Sequence, residues 1–287
     1  MRIVDAQVHI WQSDNPDRPW PPGNAGRAHR PVPLEADGLL QEMDSAGVER
    51  AILVPPSWEG DRNDLSIAAA RRHPGRFGVM GRLSLTDPDS RERLKRVRED
   101  GMLGLRFTFH TDQQKPWLTD GTADWLWPAA EKAGVPLTIL PPGSIAVVDA
   151  IAERHPGLRL TIDHLAMSSK KRDEAAFADL PDLLRLARRP NVNVKATCLP
   201  GYSTQHFPFP DLQAYIRRVY DAFGPKRLFW GSDLSRLPCP YRECISLFTE
   251  QLDWLSEDDK ADIMGRAICS WLDWPFDNAN ASMEIRS

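Results

Sequence analysis

The 287-residue sequence predicts an α/β fold, a single (β/α)8 TIM barrel, on three observations. Eight short β-branched or apolar runs recur along the chain. Stretches with helical periodicity separate them, and several of those stretches stop on a glycine just before the next run. Strand and helix alternating eight times implies parallel strands joined by crossovers, which that number of repeats closes into a barrel. An open doubly wound sheet is the competing arrangement. No G-x-G-x-x-G turn follows the first run, so its dinucleotide-binding version is disfavoured.

The runs fall at residues 2–8, 50–54, 77–83, 103–107, 136–140, 158–162, 192–196 and 227–230. Each is too short for a helix and is bounded by Gly, Pro, Asp or Asn. Between them, 34–46 reads LEADGLLQEMDSA and puts Leu39, Leu40 and Met43 on one side. Residues 64–72, 87–98, 123–133, 145–154, 175–188 and 212–223 follow the same rule. In DSAGVERAIL, EKAGVPLTIL and RHPGLRLTI the glycine sits where a left-handed residue ends a helix at little cost, and a strand starts at once. The barrel is expected over residues 1–276. A Pro/Trp-rich insert at 13–33 reads as a loop or lid over the first strand, and 277–287 as a flexible tail.

Bulk properties exclude several classes. With 41% hydrophobic and 26% charged residues the chain reads as a globular enzyme-sized protein rather than a disordered or membrane one. A net charge of −4 leaves no electrostatic footprint for nucleic acid. No apolar run approaches the roughly 20 residues of a membrane span. The N-terminus enters a strand pattern directly, so no secretory leader is expected. Cys198, Cys239, Cys244 and Cys269 show no C-x-x-C spacing, so reduced thiols in a cytoplasm are the expectation.

In a parallel barrel the C-terminal strand ends build the active-site floor. The first run ends with Gln7 and His9 in VDAQVHIW, two residues apart and so on one face of a strand. The fourth carries Arg106, the sixth Asp163 and His164, the seventh Lys195, and the eighth Asp233 followed by Arg236. The fifth ends in TILPPG, with no ligand-type residue. Singly, each has a plain structural explanation: Asp233 caps the next helix, or Lys195 pairs with Asp163 or Asp233. Together they converge on one mouth. His110 is a candidate for the rim. His29, His73, His155 and His206 read as surface or loop residues, the second and third preceding Pro at helix ends.

The motifs VDAQVHIW, IDHLA, VNVKAT, FWGSD and the late IMGRAICSWLDW resemble the amidohydrolase superfamily, in the branch called amidohydrolase-related or TIM-barrel hydrolase. Within it the chain is most similar to lactonases, the pyrone-dicarboxylate, sulfomuconolactone and sugar-acid types. The resemblance runs over essentially the whole chain. It implies His9, His164 and Asp233 as site residues, with Gln7 in the place of the first histidine of an H-x-H motif. It departs from the pattern at Gln7, at the empty fifth strand end, and at GSDLSR after the eighth.

Zinc sites are built from Cys, His and carboxylate, whereas a glutamine offers only a weakly basic carbonyl oxygen. No metal is therefore favoured. If one binds, Zn or Mn would rest on His9, His164 and Asp233. The expected activity is opening of a lactone ring by water, with Asp233 as general base and His9, His164 and Gln7 polarising the carbonyl. Arg106, Lys195 and Arg236 suggest a small acidic substrate, and Trp11, Trp20, Trp58 and Tyr202 are candidates for the pocket wall. Cys198 has no base placed beside it by any motif. The alternatives are a metal-dependent amide or ester hydrolase, a metal-dependent decarboxylase of aromatic acids, and a barrel that binds a small acid without turning it over.

Overall fold

Eight parallel strands follow one another around a single sheet in sequence order: β1 (Val4–Val8), β2 (Arg50–Leu53), β3 (Phe77–Gly81), β4 (Gly104–Thr108), β5 (Leu137–Leu140), β6 (Leu160–Ile162), β7 (Val192–Thr197) and β8 (Leu228–Gly231). The computed structural model describes residues 1–274. The expected tail at 277–287, and the last two residues of the expected domain, lie outside the described residues. Every expected run became a strand, displaced by a few residues at most. Between β1 and β8 the barrel is joined by the Asp233 amide donating to the Gln7 carbonyl at 2.9 Å.

Side-chain parity explains what the strands carry. On β4, Leu105 and Phe107 pack outward under the helices, leaving Arg106 to the interior; on β7, Val192, Val194 and Ala196 do the same for Asn193, Lys195 and Thr197. Lower in the barrel Val4, Ala6, Ile52, Met80 and Phe229 meet Ile268 and Leu272, at and just beyond the helix Ala267–Trp271. The upper interior is polar: Gln7, Arg106, Asp163, Asn193, Lys195 and Thr197 are all buried.

β1 departs from simple alternation. Its register against β2 shifts between Asp5 and Val8, as a bulge does. Ala6 therefore joins the apolar interior while the next residue, Gln7, also reaches an interior partner, Lys195. Asp5 turns to the seam between β1 and β8. Its Oδ1 accepts from the backbone amides of Gln7 (3.0 Å) and Ser232 (2.9 Å). Its Oδ2 accepts from the Tyr241 hydroxyl at 2.6 Å and from the Ser232 hydroxyl. One fully buried carboxylate thus pins the closing seam to the helix Tyr241–Thr249.

The helices agree with expectation at Asp64–Arg72 and Ile145–Arg154, and nearly so at Ala36–Ala46, Leu126–Ala133 and Pro210–Phe223. The expected helix at 175–188 is instead split into Asp173–Ala176, Leu180–Arg185 and a 3-10 turn, Leu186–Arg188. Pro181 explains the break, since it has no N–H to continue a preceding helix and suits a first turn. The helix expected at 87–98 shortens to Ser90–Lys95. Residues 13–33 hold no regular element beyond an isolated bridge between Asn15 and Arg18. Among the described residues, no helix is long and apolar enough to cross a membrane.

Candidate active site

A cavity of about 300 Å³ opens at the C-terminal ends of the strands. His9, Arg106, His164 and Asp233 line it from the strand ends; Arg27, His29, Trp58, His110, Tyr202 and Arg236 line it from the loops. The chain leaves three strands through left-handed residues that are not glycine: His164 (φ 49°) after β6, Cys198 (φ 57°) after β7 and Asp233 (φ 50°) after β8. Leu165 and Ala166 continue in the same region. Each costs on the order of 1 kcal/mol for a residue with a Cβ, and such strain collects where side chains must be aimed rather than merely packed.

Asp233 is 1% exposed; its Oδ1 pairs with His9, and its Oδ2 has no hydrogen-bond partner. Its Oδ1 lies 3.2 Å from His9 Nε2, and its Oδ2 lies 3.9 Å from His164 Nε2 and 3.6 Å from Arg236 Nη1. Burial raises its pKa, but His9 first, by charge and hydrogen bonding, and Arg236 by charge hold it far below the usual carboxylate range. His9 gives its Nδ1 hydrogen to the Val54 carbonyl at 2.6 Å, which leaves Nε2 as the atom that meets Asp233.

His164 is fixed from both sides. Its Nδ1 lies 2.7 Å from the Thr197 hydroxyl and 3.3 Å from the Thr197 carbonyl, an acceptor only, so Nδ1 carries the hydrogen. Nε2 then presents a lone pair, and the Gln7 side-chain amide donates to it at 3.0 Å. Lys195 settles which way that amide points. Its ammonium, which can only donate, lies 2.6 Å from the other end of the Gln7 amide, so that end is the oxygen. Burial pushes His164 down to about 4, keeping it neutral near pH 7.

Behind this layer Asp163 receives two cations. Lys195 Nζ is 2.5 Å from one oxygen and Arg106 Nε 2.9 Å from the other. Burial alone would raise the Asp163 carboxyl; Lys195 and Arg106 bring it down to about 2.

Four expectations change. Lys195 does not line the cavity; fully buried, it pairs with Asp163 and Gln7. Gln7 lies beneath His164 rather than at the cavity wall, so its hydrogen goes to that ring and not to a substrate carbonyl. Trp11 is buried one layer back, edge-on to Trp58 at 5.5 Å between ring centres, and it is Trp58 that meets the cavity. Trp20 likewise packs behind Trp58. Arg106, Arg236, Tyr202 and His110 do line it.

His29, read from the sequence as a surface or loop residue, is also at the cavity. Its Nδ1 is 2.9 Å from the Ser235 hydroxyl, and its ring stands 4.5 Å from Trp58 and 5.7 Å from His9. Only its place in the insert directly after the His9 strand hinted at this. His155 bonds Glu131 at 2.9 Å, away from the site. Cys198 is buried outside the cavity wall, and burial pushes its thiol up to about 12, so it offers no thiolate.

A parallel barrel with ionisable side chains gathered at the C-terminal ends of its strands has the layout of a barrel enzyme. The chain belongs to the amidohydrolase family, whose model matches residues 4–268. It is 30% identical over 246 residues to an L-fucono-1,5-lactonase of Burkholderia ambifaria, covering 82% of this chain and 81% of that one. In fold it is similar to an amidohydrolase from Burkholderia multivorans crystallised with bound zinc (TM-score 0.78, 22% identity, 96% of this chain and 100% of that one). It is also similar to a structure from Acinetobacter baumannii described as a probable 2-pyrone-4,6-dicarboxylic acid hydrolase with citric acid bound (TM-score 0.72, 15% identity, 95% and 100%). At these identities the two structures speak to fold alone.

Proposed function

We propose that the protein is a lactonase, opening the ring of a small lactone that carries a carboxylate or a sugar-acid group, with water as nucleophile and Asp233 as general base. One observation carries this reading: a buried carboxylate at the cavity floor, paired with His9 at 3.2 Å through one oxygen, whose other oxygen lacks a hydrogen-bond partner. Such a group has room to receive a water molecule and its proton. The kinship with a curated lactonase supports an ester ring as the target.

In this reading the water oxygen adds to the lactone carbonyl as its proton passes to the Asp233–His9 pair, whose facing atoms are 3.2 Å apart. Arg236, beside Asp233, donates hydrogen bonds to the carbonyl oxygen as charge builds there. The ring C–O bond then breaks and the leaving oxygen takes back the proton, giving a hydroxy acid. A positioned base contributes about 10²–10⁴-fold, and a preorganised donor about 10²–10³-fold. A lactone, as an activated ester, asks less of the site than an amide does.

The donor set fits a catalytic zinc poorly. Such sites take three protein ligands from His, Cys and carboxylate. Here the lone pair of His164 Nε2 receives the Gln7 amide hydrogen, which leaves His9 and Asp233. Our reading is therefore hydrolysis without a metal. The competing reading, a metal-dependent amide or ester hydrolase, would need a third ligand beside His9 and Asp233. Arg27, Arg106 and Arg236 around a single lining carboxylate, Asp233, favour an anionic substrate. A panel of muconolactones, pyrones and aldonolactones tests the activity: ring opening of at least one is expected, and hydrolysis of none would remove the lactonase reading.

A further inference from the structure

Arg82 has no role in the chemistry above, yet it is placed as though something should meet it. It follows β3 directly, is 6% exposed, and its Nε and Nη1 are buried without a hydrogen-bond partner. The nearest carboxylate is Asp61, on the surface, with an oxygen 3.6 Å from Nε. Asn63 clamps the Arg82 backbone, its oxygen accepting the amide hydrogen at 2.7 Å and its nitrogen donating to the carbonyl at 2.9 Å.

Register places a second arginine alongside. Gly81 of β3 pairs with Leu105 of β4, so Arg82 and Arg106 are neighbours across the two strand ends. Both share the parity of interior positions, Met80 on β3 and Arg106 on β4. Arg106 has Asp163 on its Nε, but Lys195 claims the same carboxylate. Its terminal amino groups have no hydrogen-bond partner among the described residues. His110 adds another orphan: it lines the cavity with a buried, unpartnered Nδ1. Burial and the charges of Arg106, Arg27, Arg82 and Arg236 push His110 down to about 4. Two adjacent buried guanidiniums with so little counter-charge are costly unless an anion completes them.

We propose that Arg106 and His110, which line the mouth, with Arg82 directly behind them, form a seat for a carboxylate of the bound ligand, across the mouth from Asp233. This rests on the reading of that mouth as the substrate site, and it makes Arg82 a specificity-determining residue. β4 and β8 stand on opposite sides of an eight-stranded barrel. The seated carboxylate is therefore distinct from the group that meets Asp233 and Arg236.

Isophthalate and benzoate, titrated calorimetrically, test the seat without relying on turnover. With one cationic position on each side of the mouth, wild type is expected to bind isophthalate about 30-fold more tightly than benzoate, the effect of one well-formed charge-assisted pair. Arg82→Met is expected to reduce that ratio to about threefold or less. Arg82→Lys keeps the charge without the planar fork and is expected to give a ratio between the two, which serves if the methionine variant does not fold. A wild-type ratio near one, or a ratio unchanged in the variants, overturns the seat. Because only binding is read, an active lactonase with an unchanged ratio refutes the seat alone. A ratio that collapses in a protein that opens no lactone refutes the lactonase reading alone.

Discussion

Gln7 Nε2 lies 3.0 Å from His164 Nε2 and donates to its lone pair, because Lys195 holds the amide oxygen from the other side at 2.6 Å. An amide in this position does the opposite of what an imidazole would. It supplies a hydrogen to its neighbour, where a histidine would offer a second lone pair to a cation.

Gln7→His restores a second imidazole on the strand-one face and frees the His164 lone pair. Zinc affinity measured by calorimetry is expected to rise at least tenfold, since the freed His164 Nε2 and the new ring then join His9 and Asp233, which already face one another. Zinc binding no tighter than in wild type would mean that the amide is not what disfavours the metal.

Asp233→Asn keeps the shape of the side chain and removes its basicity. Lactone hydrolysis is expected to fall by about 10²–10⁴-fold, with the circular dichroism spectrum unchanged. Residual activity above about a tenth of wild type would remove Asp233 from the role of base.

Asp5 is a structural counterpart to Asp233. Asp5→Ala strips the acceptor from two backbone amides and two hydroxyls at the β1–β8 seam. A loss of about 3–5 kcal/mol is expected, as several buried donors are left without an acceptor. Tyr241→Phe, which removes one of those bonds, should cost about 1 kcal/mol. Denaturant unfolding measures both, and an Asp5→Ala loss under about 1 kcal/mol would show that the seam closes without this carboxylate.

His164 ties stability to pH. Burial holds it down to about 4, against 6.5 for the free side chain. Between those values the unfolded chain binds a proton that the folded one does not. Stability is therefore fully retained above about pH 6.5 and falls as the pH drops towards 4, by up to roughly 3 kcal/mol from this residue. Melting temperatures from pH 7 to pH 4.5 should decline less steeply in His164→Asn than in wild type. Equal slopes would show that the ring is not held neutral by its surroundings.

The barrel was legible because its signals are local and repeated: eight β-branched runs, each punctuated by Gly, Pro or Asp. Placing Arg106, His164 and Asp233 at one mouth needed only strand parity and the rule that parallel barrels work at their C-terminal ends. Arg82 was harder to see, since its meaning depends on the β3–β4 register and on lacking a partner. His29 sits in an insert with no periodicity to read. Lys195 and Gln7 carried the right chemistry for a substrate, but Asp163, just past the end of the neighbouring β6, claims the lysine, and the β1 bulge drops the glutamine below the wall. Pairings between strands decide such cases, and a linear pattern does not display them.

In the proposed reaction this site opens an ester ring without a bound cation. The most direct measurement is the rate of lactone hydrolysis before and after exhaustive chelation, alongside the metal content of the same sample. Unchanged turnover in protein holding far less than one metal per chain is the predicted result. Activity abolished by the chelator and restored by stoichiometric zinc would contradict it.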